Sequence, residues 1–297
     1  RKIIRLRKEV YLKPEFKELW ERIKYKTTYR VRFNNEKLIQ DCIDDLKLAP
    51  PIPKTRLQWR KADIEIGKAG VVAEEAGSYM TVVLNEENLD LPALLTELRD
   101  RTQLTRRTLL RILKESKRLI DFKHNPQAFI DLVAEIINRC KQLVLVDGIK
   151  YYRLGDYYAQ ELLEQEELTG YLKNLLEAKK SVFEHVVYDS DVERRFAMEM
   201  ERNDAVKLYV KLPHWFKVPT PLGSYSPDWA VLIDTDKGER LYFVVETKGG
   251  LLPGELRDRE KAKIACGQVH FETIGKDIDN PAQYVVANKL DDIVNTI

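Results

Sequence analysis

Two short apolar runs, residues 229–233 (WAVLI) and 241–245 (LYFVV), constrain the fold of this 297-residue chain more than any other feature. Each run has the length of a buried strand, and Asp236-Lys237-Gly238 lies between them. A three-residue loop that ends in glycine is a common hairpin connection, because glycine accepts the left-handed backbone conformation. If this loop joins the runs, residue 235 pairs with 239, and counting back places Asp228 opposite Glu246.

Charged side chains therefore converge at one end of the predicted hairpin. Paired residues share a sheet face, with Cβ atoms roughly 5 Å apart. Lys248 points to the same face as Glu246, and Thr247 points away. Two carboxylates at this spacing repel unless a cation lies between them, and Mg²⁺ is held by one or two carboxylates with waters and phosphate oxygens. With a lysine beside it, such a metal can promote phosphodiester hydrolysis. The alternative is a structural salt bridge between Lys248 and one carboxylate.

The order of these residues also matches a known pattern. Pro227-Asp228 followed by Glu246-x-Lys248 is the arrangement of the P-D…(D/E)-x-K nucleases. Such nucleases often carry a glutamate on the helix before the sheet, and Glu193 lies in the first turn of a predicted helix. Ser190 and Glu193 also form an S-x-x-E capping box, which explains that glutamate structurally. Both interpretations of Glu193 stay open.

The flanking sequence predicts a mixed sheet flanked by helices. We expect a helix over 190–202, strands over 205–212, 228–234 and 240–248, a helix over 254–267, and strands near 269–274 and 283–287. This order indicates an α/β class and, with the charged residues above, a PD-(D/E)xK nuclease domain over 183–297.

Two segments precede that domain. Residues 1–90 are predicted to be a mixed α/β linker or spacer, with helices over 14–23 and 34–48, a strand over 25–33 and strand-like runs over 55–66 and 78–84. Residues 91–182 are predicted to be helical, with three helices, a β-hairpin near 143–154 signalled by Asp147-Gly148, and a helical acidic connector over 155–180. Three helices and a hairpin outline a winged helix, so a winged-helix-like region is predicted here.

Basic residues suggest contacts with nucleic acid. The net charge is only +2, but residues 1–33 carry 12 Lys/Arg against 4 acidic groups, and residues 101–124 carry 8 against 2. Such clusters suit phosphate backbones, although a solvated helix face explains them equally well. The second helix of the 91–182 region could face DNA or be a basic spacer. Individual DNA-contact candidates, with solvated faces as the alternative, are Arg106, Arg107, Lys207, Lys211, Arg257 and Lys261.

Several classes of protein are disfavoured. No apolar stretch approaches the ~20 residues that span a bilayer, and the N-terminus lacks a signal-peptide core. The three cysteines are widely separated, which agrees with a reducing compartment, so we expect a cytoplasmic protein without membrane contact. No Walker phosphate loop is present, so this chain is not expected to bind ATP. The basic start without Met indicates a piece of something longer.

The residues around the charged trio resemble one family closely. The run VERRFAMEMERNDAVKLYVKLPHWFKVPTPLGSYSPDWAVLI, followed by LYFVVETKG and LRDREKAKIACGQVHF, is similar to the C-terminal endonuclease domain of the restriction (Res) subunit of type III restriction–modification enzymes. The likeness covers about 183–288 and extends more loosely upstream through FKELWERIKYKTTYRVRF and GYLKNLLE. The family stretch usually has Asn before Pro-Asp, where this chain has Ser226.

The resemblance implies an activity and a site. Enzymes of this family cut double-stranded DNA with Mg²⁺, for which Mn²⁺ can substitute. An ATP-hydrolysing motor in the same Res subunit drives them, and a methyltransferase (Mod) subunit reads the site. Asp228 and Glu246 match the metal-binding positions and Lys248 the catalytic lysine, and Glu193 matches the helix glutamate. The backbone carbonyl of Thr247 would be a further metal ligand.

The expected function is therefore that of a Mg²⁺-dependent endonuclease part of a type III Res subunit. Hydrolysis would use a metal-activated water. Two alternatives remain open: a non-catalytic DNA-binding or coupling module, and a repair or junction-resolving nuclease of the same fold.

Overall fold

The chain packs as two compact units. The computed structural model describes residues 2–54, 56–59, 62–67, 70–75, 80–83, 90–166, 169–170, 174–235, 237–248 and 254–294. One unit is formed by Arg1–Phe33 with Leu145–Ile297, and the other by Asn34–Val144. This division differs from the three segments predicted above, because the N-terminal residues pack with the C-terminal part of the chain.

The first unit begins with short elements that frame the nuclease region. They are β1 (Lys2–Ile3), α1 (Lys8–Tyr11), α2 (Pro14–Ile23) and β2 (Tyr25–Val31). Pro14 occupies the first helical position of α2, where its missing N–H is not needed. The buried side chains of α2 are Phe16, Leu19, Trp20 and Ile23, a helical stripe that faces the core.

The second unit is mainly helical. Its elements are α3 (Asn35–Leu48), β3 (Arg56–Trp59), β4 (Ala62–Gly67), β5 (Gly70–Glu75), β6 (Met80–Val83), α4 (Leu91–Thr102), α5 (Arg106–Ser116), α6 (Leu119–His124) and α7 (Pro126–Asp147), the last of which ends in the first unit. The strand-like runs predicted over 55–66 and 78–84 lie partly outside the described residues. Where these runs are described, they correspond to β3, β4 and β6. Buried side chains of α3, α4, α5 and α7 form the core of this unit.

The chain then returns to the first unit and builds its main sheet. The elements are β7 (Ile149–Tyr157), a 3₁₀ helix (Gln160–Leu163), β8 (Thr169–Gly170), β9 (Leu175–Glu177), β10 (His185–Val187), α8 (Asp191–Arg202), β11 (Val206–Lys211), β12 (Trp229–Asp234), β13 (Arg240–Thr247), α9 (Gly254–Gly275), β14 (Gln283–Ala287) and α10 (Asp291–Val294). The main sheet has the order β11-β12-β13-β14, with β13 and β14 parallel and the other pairs antiparallel.

Helices cover both faces of this sheet. Residues of α8 such as Phe196 and Met200 join Trp229, Val231 and Phe243 in the core on one face. On the other face, side chains of α2 and α9 pack with alternate strand residues, among them Ala230, Leu232 and Val244. The predicted α/β class, with a mixed sheet flanked by helices, is confirmed.

Three local predictions are wrong. The hairpin near 143–154 does not form, because the buried stripe Ile137, Cys140 and Val144 keeps α7 helical to Asp147, and β7 starts at Ile149. The winged-helix interpretation is therefore not confirmed. The strand near 269–274 is instead the end of α9, where Cys266, His270, Phe271 and Ile274 are buried at helical spacing. The described residues of 155–180 form the end of β7, the 3₁₀ helix and short strands in place of a helical connector.

No helix in the part of the chain that the structure describes is long and apolar enough to cross a bilayer.

Candidate active site

The hairpin register places the two key carboxylates at one end of the sheet. Strand pairing runs from Asp234 opposite Arg240 back to Trp229 opposite Val245, so the next position pairs Asp228 with Glu246. The loop closes with a hydrogen bond from the Thr235 N–H to the Glu239 carbonyl (2.8 Å), and Gly238 has a φ of +77°. The register predicted from the glycine loop is confirmed.

Asp228 is fixed against the opposite strand. The backbone N–H of Thr247 donates to Asp228 Oδ2 over 2.7 Å, and the Thr247 hydroxyl donates to the same oxygen. Burial raises the pKa of Asp228, and the two hydrogen bonds from Thr247 oppose that rise. Nearby Glu193 also raises this pKa, and Lys211 lowers it. Thr247 therefore orients the aspartate carboxylate, whereas strand alternation had predicted that its side chain would point away from the charged residues.

Glu246 has a buried carboxyl oxygen, Oε2, without a hydrogen-bond partner among the described residues. Burial, followed by the carboxylates of Asp228, Glu260 and Glu193, raises the pKa of Glu246 to about 9, and Lys263 works in the opposite direction. Buried polar atoms are almost always paired, so an unpaired carboxylate oxygen needs an explanation.

A divalent cation fits this donor set. The site offers two hard carboxylate oxygen donors in a buried position where they repel each other, and a cation would relieve that repulsion. Within the described residues, no three His, Cys, Asp or Glu side chains converge as a metal cage. Mg²⁺ does not need such a cage, because it usually keeps several waters and binds one or two carboxylates with substrate phosphate oxygens.

Lys248 follows Glu246 at the end of β13. Its backbone N–H donates to the Ala287 carbonyl over 3.1 Å, which continues the pairing with β14. The sequence left open an ordinary salt bridge between Lys248 and one of the two carboxylates. Among the described residues, Lys248 forms no ion pair with Asp228 or Glu246. The Lys248 ammonium is therefore not engaged with either carboxylate.

Glu193 takes part in capping helix α8 and forms an ion pair with Lys211. The Ser190 hydroxyl accepts from the Glu193 N–H over 3.2 Å, and Glu193 accepts from the Asp189 N–H over 3.0 Å, which is the predicted capping box in slightly shifted form. Glu193 also pairs with Lys211 over 2.5 Å, and only 12% of its side chain is exposed. The carboxylate is near enough to act electrostatically on Asp228 and Glu246. A direct metal contact would require the pair with Lys211 to open, so this role stays a prediction.

The predicted DNA contacts are scattered. Lys211 is held by Glu193, Asp189 and the Val187 carbonyl, and Lys207 lies at the far end of β11, 3.8 Å from Asp234. Lys261 is exposed on α9, and the side chain of Arg257 lies outside the described residues. Arg106 and Arg107 are exposed on α5 of the other unit. These contacts stay predictions.

Two tyrosines beside the site, buried Tyr284 and partly buried Tyr225, were not predicted from the sequence. The Tyr225 and Tyr284 hydroxyls lie 3.1 Å apart, and Tyr284 stands opposite Val244, two positions from Glu246 on the same face of β13 and β14. Gly267 of α9 makes room for them, because a Cβ atom there would lie 1.7 Å from the Tyr225 hydroxyl oxygen. Glu260, Lys263 and Gly267 recur at helical spacing, the one signal that could have marked this face of α9.

The part of the chain that contains this site is similar in sequence to known proteins. Residues 179–289 match the family described as Endonuclease domain. Over 118 residues, 39% of the chain, it is 36% identical to the type III restriction-modification enzyme EcoPI Res subunit of Escherichia phage P1 and to the EcoP15I Res subunit of Escherichia coli. The matched stretch spans about 12% of the length of each relative. No solved structure gives a significant match to the chain. The resemblance to the endonuclease region of Res subunits is confirmed.

Proposed function

We propose that this chain carries the Mg²⁺-dependent endonuclease of a type III restriction enzyme Res subunit and hydrolyses phosphodiester bonds of double-stranded DNA. The observation that carries the proposal is the buried Oε2 of Glu246, which has no hydrogen-bond partner among the described residues and lies at the end of the hairpin that also carries Asp228. The similarity of residues 179–289 to an endonuclease domain supports the same reaction class.

Each residue of the site has a role in this proposal. Asp228 and Glu246 would hold Mg²⁺, and the Thr247 carbonyl is a further candidate ligand. Glu193 would be a ligand only if its ion pair with Lys211 opened. When bound, Mg²⁺ supplies Lewis-acid polarisation of the phosphodiester and a lower pKa for a coordinated water, and Mn²⁺ would supply the same. Thr247 holds the Asp228 carboxylate in place through its N–H and hydroxyl groups.

Lys248 brings a positive charge to this end of the sheet. Its ammonium can donate hydrogen bonds to the attacking water and to a non-bridging phosphate oxygen, which offsets charge that develops on the phosphoryl group. The water oxygen forms a bond to phosphorus while the bond from phosphorus to the 3′ oxygen breaks. One water is consumed, and the products are a 5′-phosphate and a 3′-hydroxyl.

The rest of the enzyme would be supplied by other parts of the assembly. The relatives are Res subunits, and this chain matches about 12% of their length. We propose that motor domains of the same Res subunit hydrolyse ATP and that a methyltransferase (Mod) subunit selects the DNA site. Such an enzyme would act in the cytoplasm, where its DNA substrate is.

A nicking assay with matched variants tests the proposal. Supercoiled plasmid is incubated with Mg²⁺ and either this chain or the complete Res–Mod assembly with ATP. In whichever of these two preparations cuts the plasmid, Asp228→Asn and Lys248→Ala should abolish cutting. Two controls at the other end of the hairpin, Asp234→Asn and exposed Lys237→Ala, should cut like the wild type.

The outcomes separate the alternatives. Cutting that survives Asp228→Asn contradicts the assigned site. Complete absence of cutting in the assembly would favour a non-catalytic DNA-binding or coupling module. Preference for branched over linear DNA would favour a repair or junction nuclease.

A further inference from the structure

The paired strands β2 and β7 form a two-stranded ribbon, named here the β2–β7 ribbon, at the surface of the first unit. Its inner face is anchored on α9. The Thr27 hydroxyl lies 2.8 Å from His270 Nδ1, and the Tyr151 ring meets the His270 ring edge-on at 5.6 Å. The anchored face fixes which side chains point outward, since side chains alternate along each strand.

The outward side chains are basic and aromatic. Thr28 pairs with Tyr152 and Arg30 pairs with Lys150, and all four residues are exposed. Residues 24–33 and 149–157 together contain six Lys/Arg and one acidic residue, Asp156, which is already paired with Lys26 over 2.8 Å. The ribbon therefore presents a net positive surface.

Like charges stand directly opposite each other on this surface. Arg30 and Lys150 are cross-strand partners, and a like-charged pair of this kind destabilises a sheet. A face that needed only to be soluble would be better served by charges of both signs. The arrangement is instead what a surface complementary to phosphate groups requires.

An exposed aromatic ring lies within the positive surface. Tyr152 is 39% exposed, and the Arg30 guanidinium and the Lys150 ammonium lie 5.6 and 5.5 Å from its ring centre. Tyr157, 49% exposed, has the Lys24 ammonium 4.3 Å from its ring centre. Exposed rings flanked by cations are the elements with which proteins bind single strands, because unpaired bases stack on the ring while phosphates meet the cations.

We propose that the outer face of the β2–β7 ribbon binds single-stranded DNA, with phosphates at Arg30 and Lys150 and an unpaired base stacked on Tyr152. The identity of the nucleic acid as DNA rests on the proposed function above. Single strands are favoured over duplex because duplex bases are already stacked on each other and leave no face for Tyr152.

Fluorescence anisotropy of a labelled oligothymidylate tests the proposal. The 297-residue chain is titrated in EDTA, so that binding is measured without cleavage, at several salt concentrations and alongside a duplex of the same length. Lys150→Glu should weaken single-strand binding at least tenfold and reduce its salt dependence. Tyr152→Ala should weaken it about fivefold or more, whereas Tyr152→Phe, which keeps the ring, should stay within about twofold of wild type.

Matched controls make the result decisive. Lys179→Glu makes the same charge change at an exposed site next to Ala178, which belongs to the core on the opposite sheet face, and should leave binding within about twofold. Equal losses for Lys150→Glu and Lys179→Glu would overturn the proposal, as would wild-type binding by Tyr152→Ala or tighter binding of the duplex than of the single strand. Thermal unfolding confirms that each exposed variant folds.

Plasmid nicking by the same variants keeps the two proposals apart. Loss of oligonucleotide binding in Lys150→Glu supports the ribbon whether or not Asp228→Asn affects cutting. A chain that needs Asp228 for cutting but binds the oligonucleotide equally well with Lys150→Glu would refute the ribbon alone.

Discussion

Gly267 of α9 is the position at which packing beside the candidate site can be tested most sharply. A Cβ atom there would lie 1.7 Å from the Tyr225 hydroxyl oxygen and 2.9 Å from Tyr284 Cζ. Both tyrosine rings are packed into the buried region next to α9, and their hydroxyls lie within hydrogen-bond distance of each other. Gly267→Ala therefore forces Tyr225 to move.

Two opposing effects decide the sign of the change in stability. Alanine in a helix interior is favoured over glycine by about 1 kcal/mol. Overpacking a buried site costs about 1–3 kcal/mol, and loss of the hydrogen bond between the tyrosines removes about 1 kcal/mol more. The cost of overpacking and of the lost hydrogen bond exceeds the gain in helix propensity. We therefore expect Gly267→Ala to lower the free energy of unfolding by roughly 1–3 kcal/mol.

Urea unfolding followed by tryptophan fluorescence measures this change. Trp20, Trp215 and Trp229 all lie in the unit that contains α9, so their emission reports on it. Gly155→Ala is the control, because a Cβ atom there meets nothing within 4 Å, and it should stay within about 0.5 kcal/mol of wild type.

A double-mutant cycle identifies the clash. Tyr225→Phe removes the oxygen that a Cβ atom at position 267 would strike, so Gly267→Ala should be less destabilising in that background. An increase in stability for Gly267→Ala alone, or an equal loss in both backgrounds, would refute the packing argument.

Three further predictions concern titration and capping. Burial lowers the pKa of His270 to about 3 from the ordinary 6.5, so the unfolded chain takes up the proton more readily and stability is lost as the pH falls through that window. His270→Gln should flatten the slope of unfolding free energy against pH between 6.5 and 3, and an unchanged slope would contradict the burial of the imidazole. Burial raises the pKa of Glu246 to about 9 from 4.5, so its contribution to stability is present below pH 4.5 and is lost as the pH rises toward 9. In EDTA at pH 8, Glu246→Gln should therefore be more stable than wild type by on the order of a few kcal/mol, and an unchanged melting temperature would contradict the burial of this carboxyl group. Ser190 caps α8, so in urea unfolding Ser190→Ala should lower the free energy of unfolding by about 1 kcal/mol and Ser190→Gly by only a few tenths. Equal losses for the two variants would contradict the importance of the cap.

Local sequence patterns predicted the elements around the site well. The glycine loop at 236–238 fixed the pairing of β12 with β13, because a three-residue loop allows one register. The capping box at Ser190 marked the start of α8, and the strands predicted over 205–212 and near 283–287 correspond to β11 and β14. These features depend on neighbours in sequence, which is why they could be read from it.

Features that depend on distant contacts were not predictable. β2 pairs with β7, although more than a hundred residues separate them in the sequence. The residues near 143–154 alone therefore suggested a local hairpin, because they carry no sign of this distant partner strand. The dipeptide Asp147-Gly148 suggested a turn between strands, but the buried helical stripe before it continued α7. The buried oxygen of Glu246 likewise depends on how α9 and the sheet enclose it.

A crystal grown with Mn²⁺ and measured near the manganese absorption edge tests whether Asp228 and Glu246 bind a divalent cation. A metal site at this end of the hairpin predicts an anomalous difference peak bonded to carboxylate oxygens of both Asp228 and Glu246, and no such peak in Asp228→Asn. Well-ordered Asp228 and Glu246 side chains with no peak between them, or a peak that persists unchanged in Asp228→Asn, would contradict it.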